Sequence, residues 1–237
     1  MEEKRAVAII TARGGSKRIP HKNIRDFCGR PIIEYSIEAA KKSGAFDTVM
    51  VSTDDKEIAA IAERAGAKIP FLRSEKTAGD YATTAEVLLE VLAQYEKAGK
   101  TFVYGCCIYP TAPFVTAEKL SRAMRELAER GRDCVMPVAA FSFPPLRGMT
   151  LADGTLHYKW ERYAPCRSQD LEELYHDCGQ FYAFRVEHLR KTGKLVGENT
   201  GGIVVSELEM QDIDNEMDWK LAEMKYRLLL EEGEQGI

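Results

Sequence analysis

Residues Ala6–Thr11 form an unbroken, largely β-branched apolar run that halts at Ala12-Arg13-Gly14-Gly15-Ser16. That is the pattern of a strand buried on both faces that opens into a glycine-rich loop. Pro31 then precedes Ile32, Ile33, Tyr35, Ser36, Ile37 and Ala40 at helical spacing, and Ser43-Gly44 ends the run. A helix with Pro31 in its first turn is predicted there. Residues 48–53 read as the second strand. Asp54 is the expected cap of a helix through Ala65, closed by Gly66, and residues 68–72 are a short third strand before the polar loop 73–80. A helix at 84–98, a strand at 102–109, a helix at 116–130 and a strand at 133–139 continue the alternation. Strands and helices taking turns imply right-handed crossovers, hence an α/β fold of three layers with a mostly parallel sheet.

The alternation breaks after residue 139, where Phe143-Pro144-Pro145, Asp153-Gly154 and Ala164-Pro165 punctuate short stretches with the look of a hairpin and extended arms. This excursion, 140–179, is expected to leave the main sheet and to cover the active site, contact a second subunit, or both. Residues 180–185 return as a strand, and 218–231 form an amphipathic closing helix. With no internal repeat and no low-complexity tract, residues 1–237 read as a single domain.

At 237 residues, 45% hydrophobic and 30% charged, the chain is long enough to bury one substantial core. Its net charge of −4 supplies no global positive field, so binding along a nucleic-acid backbone is disfavoured. The uncharged run 102–117 contains Gly, Thr and Pro and falls short of the ~20 apolar residues of a membrane span. The N-terminal apolar run is too short for a secretory signal, which makes the cytoplasm the expected location. Six cysteines show no C-x-x-C pair, and Cys106 and Cys107 would face opposite sides of a strand. They read as small buried hydrophobes, with Cys166 and Cys178 the two nearest to polar motifs.

Candidate chemistry falls into three clusters. Between residues 13 and 25 there are five Lys or Arg and no carboxylate before Asp26. Gly14 and Gly15 let backbone N–H groups approach phosphate oxygens, while Arg13, Lys17 and Lys22 can neutralise charge at a reacting phosphorus. The loop matches neither G-x-x-x-x-G-K-[ST] nor G-x-G-x-x-G, and a solvated surface turn accounts for it equally well when it is read alone. The second cluster is Gln211-Asp212-Ile213-Asp214 with Asp218. On an extended segment Asp212 and Asp214 share a face at roughly 6–7 Å, a spacing suited to Mg²⁺; Asp214 or Asp218 can equally be a cap of the last helix, and Asp218 reads as one. The third is Arg167-Ser168-Gln169-Asp170, followed by residues 175–182. Its Arg fork, Gln amides and Tyr hydroxyls suit a polar, acidic small molecule, while the His176-Asp177 pair reads as structural and Phe181 and Tyr182 fit a core as well as a pocket.

Together the three clusters resemble the cytidylyltransferases that activate eight- and nine-carbon acidic sugars. Residues 12–23 are similar to that family's signature loop nearly residue for residue. Residues 106–114, 167–171 and 175–182 most resemble the branch that acts on pseudaminic acid. The resemblance implies a Rossmann-like nucleotidyltransferase fold, Mg²⁺ as cofactor, a homodimer, and attack of the sugar's anomeric hydroxyl on CTP. It further implies that Ala12, Arg13, Gly14, Gly15, Ser16, Lys17 and Lys22 surround the triphosphate. Asn23, Arg73 and Thr84 would lie near the cytidine, with Asp80 supporting that pocket. Asp212 and Asp214 would hold the metal, and Arg13, Lys22 and Asp212 would carry the catalysis. Two departures bear on the sugar: Tyr109 stands where the sialic acid enzymes generally have Gln, and His176-Asp177-Cys178-Gly179-Gln180 replaces their Asn-Gly-Ala. Both weigh toward pseudaminic acid, with Tyr109, Arg167, Gln169, Gln180 and Tyr182 facing it. The rival readings are the same reaction on legionaminic, N-acetylneuraminic or 3-deoxy-manno-octulosonic acid, pyrophosphorylase action on a hexose 1-phosphate, and a catalytically silent nucleotide-binding homologue.

Overall fold

The side chains of β1 (Ala6–Thr11) alternate between two cores, with Ala6, Ala8 and Ile10 in one and Val7 and Ile9 in the other. A strand apolar from Ala6 to Ile10 is what a sheet covered on both faces requires. The computed structural model describes residues 5–16, 18–79 and 81–235. After β1 a tight hairpin, β2 (Asp26–Phe27) and β3 (Arg30–Pro31), leads into α1 (Ile32–Lys42) and β4 (Thr48–Ser52). Then follow α2 (Lys56–Arg64), the one-turn α3 (Glu75–Ala78), α4 (Thr84–Lys97), β5 (Tyr104–Ile108), α5 (Ala117–Glu129) and β6 (Cys134–Ala140). A separate hairpin, β7 (Met149–Ala152) and β8 (Thr155–Tyr158), stands off the main sheet. The chain returns through β9 (Tyr175–Asp177), β10 (Phe181–Arg185), α6 (Val186–Thr192), β11 (Thr200–Val204) and α7 (Glu216–Gln235).

The main sheet has the order β11-β6-β10-β5-β1-β4, with β9 also paired to β6. β1 runs parallel to β4 and β5, and β6 parallel to β11, while β10 is antiparallel to β5 and β6 and β9 to β6. β4, β1, β5, β6 and β11 therefore share one direction, the mostly parallel sheet expected, with β10 wedged into its middle. The wedge has a local signature at Gly105, where a Cβ would lie 2.4 Å from the Phe184 ring of β10.

One face is covered by α1, α2 and α5 through residues such as Ile33, Ile37, Ile61, Leu120 and Leu127. The other is covered by α4 and α6 through Leu88, Val91, Leu92 and Leu189. A third, smaller core joins Ile19 and Phe27 to Ile213, Trp219 and Ala222. Phe27 meets Tyr35, Trp219 and Tyr226 edge-to-face at 5.5–5.7 Å. This core matters for the site because it fixes the loop after β1 against the segment that carries Asp212 and Asp214.

Several boundaries differ from expectation. Asp55, not Asp54, caps α2, its Oδ1 accepting the N–H groups of Glu57 and Ile58. Pro31 belongs to β3 and α1 starts one residue later. Residues 68–72 form no strand, only a single bridge from Lys68 to Met50, since Pro70 has no N–H to continue a ladder. The end of the excursion does not leave the sheet: β9 lies along β6. α6 and β11 were not anticipated; α6 is short and β11 contains two adjacent glycines, so neither carries a strong periodic signal. Asn215 caps α7, and Asp218 completes a reciprocal pair by accepting the N–H groups of Asp214 and Asn215. All six cysteines are free thiols, with Cys106 and Cys107 in opposite cores. Among the described residues no helix is long and apolar enough to cross a membrane.

Candidate active site

β4, β1 and β5 present their carboxyl ends at one edge, where ligands of open α/β sheets bind. The loop leaving β1 is tied down over that edge by four hydrogen bonds. The Ala12 N–H donates to the Ser52 carbonyl at 3.0 Å, and the Gly14 N–H to Asp54 Oδ1 at 3.0 Å. The Ser16 N–H donates to the Gly14 carbonyl at 2.9 Å, and the buried Asn23 amide to the Arg13 carbonyl at 2.8 Å. A Cβ on Gly14 would stand 2.8 Å from Asp55 Oδ2 and 3.0 Å from its Cβ, so a side chain there must displace Asp55 or the loop, whereas Gly15 faces open space. Asp54, passed over as a helix cap, is thus the anchor of the loop.

Three cavities meet above the loop. One of about 390 Å³ is lined by Thr11, Arg13, Ser16, Arg18, Lys22, Asn23, Tyr109 and Asp214. A second, about 240 Å³, extends from Thr11 and Arg13 to Arg73, Thr77, Gly79 and Thr84. A third, about 430 Å³, follows Gly14, Gly15, Ser16 and Asp54. Arg13 borders all three, which makes them compartments of one cleft.

The cleft is electrostatically primed for an anion. Burial lowers the Lys22 pKa, with Asp214 and Asp212 opposing, and its Nζ donates to the Ile213 carbonyl at 2.7 Å. Burial likewise lowers that of Arg73, against Asp54 and Glu90, while its guanidinium donates to the Ser52 carbonyl (2.7 Å) and hydroxyl (3.1 Å). Cations held by neutral oxygens in a partly dry site gain strongly from an arriving polyanion. Asp214 pairs with Arg18 at 2.7 Å on the cavity wall, and Asp212 is exposed on the same segment. Among the described residues no three His, Cys, Asp or Glu side chains cluster to form a closed metal cage. Of the two carboxylates only Asp214 lines the cavity, where Arg18 holds it, and one such hard ligand is compatible with Mg²⁺, which takes one or two protein carboxylates and completes its shell with phosphate oxygens and water.

The residues expected to face the sugar divide. Tyr109 walls the cleft, its hydroxyl 3.5 Å from that of Thr84, and its ring rests edge-on against Tyr182 at 5.8 Å. Tyr182 is buried behind it and donates to the Asp177 carboxylate; burial first, and Asp177 second, push its phenol pKa far up. Gln180 is buried away from the cleft, donating to the Glu209 carbonyl at 2.7 Å, while its Oε1 has no partner. Arg167 and Gln169 lie on an exposed turn of the excursion, where Asp170 takes the Arg167 fork at 2.7 and 2.9 Å. Ala12 sits under the loop without lining the cleft, and Lys17 and Asp80 lie outside the described residues. Beyond the expected site residues the cleft holds Thr11, Arg18, Thr77 and Gly79, and Asp54, expected only as a helix cap, joins them. Arg18 was visible in the run of cations; the others carry no signal short of the fold.

Residues 7–217 match the Cytidylyltransferase family. Pseudaminic acid cytidylyltransferase of Campylobacter jejuni is 34% identical over 223 residues, covering 94% of this chain and 96% of that protein. CMP-N,N'-diacetyllegionaminic acid synthase of Legionella pneumophila is 31% identical over 227 residues, covering 92% and 95%. The solved structure of CMP:2-keto-3-deoxy-manno-octonic acid synthetase complexed with CTP superposes with a TM-score of 0.69 at 18% identity, covering 96% of this chain and 99% of that one, and so shares the fold. A glycine loop over a cationic cleft, a family match from the first strand to the last helix, and relatives aligned over nearly their whole length agree: this chain belongs to the cytidylyltransferase family.

Proposed function

We propose that the protein transfers CMP from CTP to the anomeric hydroxyl of an acidic nonulosonic sugar, pseudaminic acid in preference to others, and releases pyrophosphate. The observation that carries this reading is the cleft itself, in which Arg13, Lys22 and Arg73 surround the Gly14-Gly15 turn at the carboxyl edge of β1. The sugar hydroxyl oxygen bonds to the α-phosphorus as the bond from that phosphorus to the bridging oxygen breaks; the electron pair leaves with pyrophosphate and the hydroxyl proton passes to solvent. Such a displacement needs positioning and charge neutralisation more than a strong base. Arg13, Lys22, the Gly14 and Gly15 backbone, Ser16 and Lys17 hold the triphosphate. Arg73 and Thr84 frame the cytidine side, to which the family resemblance also assigns Asn23 and Asp80. Asp212 and Asp214 would hold Mg²⁺, which when bound neutralises phosphate charge and orients the α-phosphate.

Tyr109 forms the acceptor wall and Tyr182 supports it from behind, with Gln180 bracing the same strand end. Arg167 and Gln169 reach a sugar only in a homodimer, by projecting into the partner's cleft. In support of that assembly, the excursion exposes Phe143 (83%), Leu151 (70%) and Leu156 (61%), apolar surface that a second subunit would cover. The use of CTP as substrate supports a cytoplasmic location. The relatives in Campylobacter and Legionella named above support a nonulosonic acceptor; Tyr109 is the reason for preferring pseudaminic acid.

The test is pyrophosphate release from CTP and Mg²⁺ with pseudaminic, legionaminic, N-acetylneuraminic or 3-deoxy-manno-octulosonic acid in separate reactions. Preference for pseudaminic acid is expected. Preference for another acid would overturn the Tyr109 argument and keep the reaction; no release with any of them would remove the reaction.

A further inference from the structure

Glu90, in the second turn of α4, turns its carboxylate toward the segment that joins Arg73 to that helix. Its Oε1 accepts the Ser74 N–H at 3.0 Å, and its Oε2 accepts the Ser74 hydroxyl at 3.0 Å and the Thr77 hydroxyl. These bonds close the start of α3, a four-residue helix whose cap residue Ser74 makes no side-chain cap of its own. So short a helix does not persist without outside support. Thr77 of α3, with Gly79 and Ala82 just beyond it, lines the Arg73 compartment together with Arg73 and Thr84. Glu90 itself does not line that cavity. Burial disfavours its charge, yet the bonds from Thr77 and Ser74 and the nearby Arg73 hold its carboxyl below the ordinary range, so the clamp is an anion at neutral pH.

We propose that Glu90 is a positioning residue for the nucleotide: by clamping Ser74 and Thr77 it holds the α3 wall at the Arg73 compartment, and so sets CTP affinity without touching CTP. The inference rests on the reading of the cleft as the CTP site. Glu90→Ala frees the wall, whereas Glu90→Gln keeps the volume and one carbonyl acceptor. A control on the same helix separates clamping from helix stability. Glu86 closes the capping box with Thr83 at the start of α4 and makes no bond to residues 74–77.

The experiment is calorimetric titration of wild type and the three variants with CTP, together with melting temperatures and the steady-state KM and kcat for CTP. Glu90→Ala is expected to weaken CTP binding about tenfold and to raise the KM for CTP with little change in kcat, as lost positioning does. Glu90→Gln should fall between it and wild type. Glu86→Ala should lower the melting temperature while leaving CTP affinity near wild type. Wild-type affinity in both folded Glu90 variants, or equal weakening in Glu86→Ala, would overturn the inference alone. A wild-type protein that binds no CTP would overturn the reading of the cleft, and the inference with it.

Discussion

The Lys22 amine donates to the Ile213 carbonyl at 2.7 Å, a bond across 191 positions of sequence that joins the loop after β1 to the backbone between Asp212 and Asp214. Because burial lowers the Lys22 pKa from 10.5, a bound triphosphate should raise it again. CTP affinity is therefore expected to decline as pH rises through the lowered pKa, with proton uptake on binding in that window. Calorimetry in buffers of different ionisation heat measures this. Lys22→Arg should shift the decline to higher pH, and Lys22→Met should lower turnover on the order of 10²-fold.

Asp212→Asn and Asp214→Asn are expected to cut turnover and raise the Mg²⁺ concentration needed for half-maximal rate. Stability should change by no more than ~1 kcal/mol, since the Arg18–Asp214 pair is exposed and Asp212 lies at the surface. Urea unfolding beside the rate assay separates the two effects. Full activity of Asp212→Asn in Mg²⁺ would rule out the metal assignment.

Gly14→Ala should shift the loop, because its Cβ meets Asp55 at 2.8 to 3.0 Å and strains the Gly14 to Asp54 hydrogen bond. Weaker CTP binding, by about tenfold, is expected. Gly15→Ala meets no atom within 4 Å and should cost much less. Titration of both variants with CTP gives the comparison.

Gly105→Ala should destabilise the fold by at least ~1–3 kcal/mol, the cost of overpacking a core, since its Cβ would fall 2.4 to 2.9 Å from the Phe184 ring. Denaturant unfolding measures it. A variant as stable as wild type would mean that β10 does not pack against β5 in this way.

Burial opposes the charge on Glu209, but the hydrogen bond from Lys119 and two from Ser206 hold its pKa at about 2, down from 4.5. A carboxyl depressed in the folded state contributes stability above pH 4.5 and loses it as pH falls toward 2. The stability gap between wild type and Glu209→Gln should accordingly shrink across that interval. A gap independent of pH between 4.5 and 2 would show that the Lys119–Glu209 pair contributes nothing.

The run at Ala6–Thr11, the helical period from Ile32 to Ala40 and the cation-rich glycine loop were legible because each is a pattern of neighbouring residues, and local geometry alone turns it into a strand, a helix or a phosphate-sized turn. The caps were harder. Asp54 and Asp55 are adjacent carboxylates, and which of them caps α2 depends on whether Gly14 stands across from the other. Arg167 and Gln180 are close in sequence and so suggest one sugar-facing cluster. In the fold Arg167 closes on Asp170 in an exposed turn, while Gln180 enters the sheet edge and bonds to Glu209.

What the sequence by itself determined is the alternation of elements, the loop chemistry and the family these motifs resemble, since side-chain period and loop composition act over a few residues. The insertion of β10 between β5 and β6, the meeting of Lys22 with Ile213 and the clamp of Glu90 on Ser74 and Thr77 were decided only by the tertiary structure. Each pairs groups separated in sequence, and which distant partner a hydrogen-bonding group finds is set by how the layers pack around it.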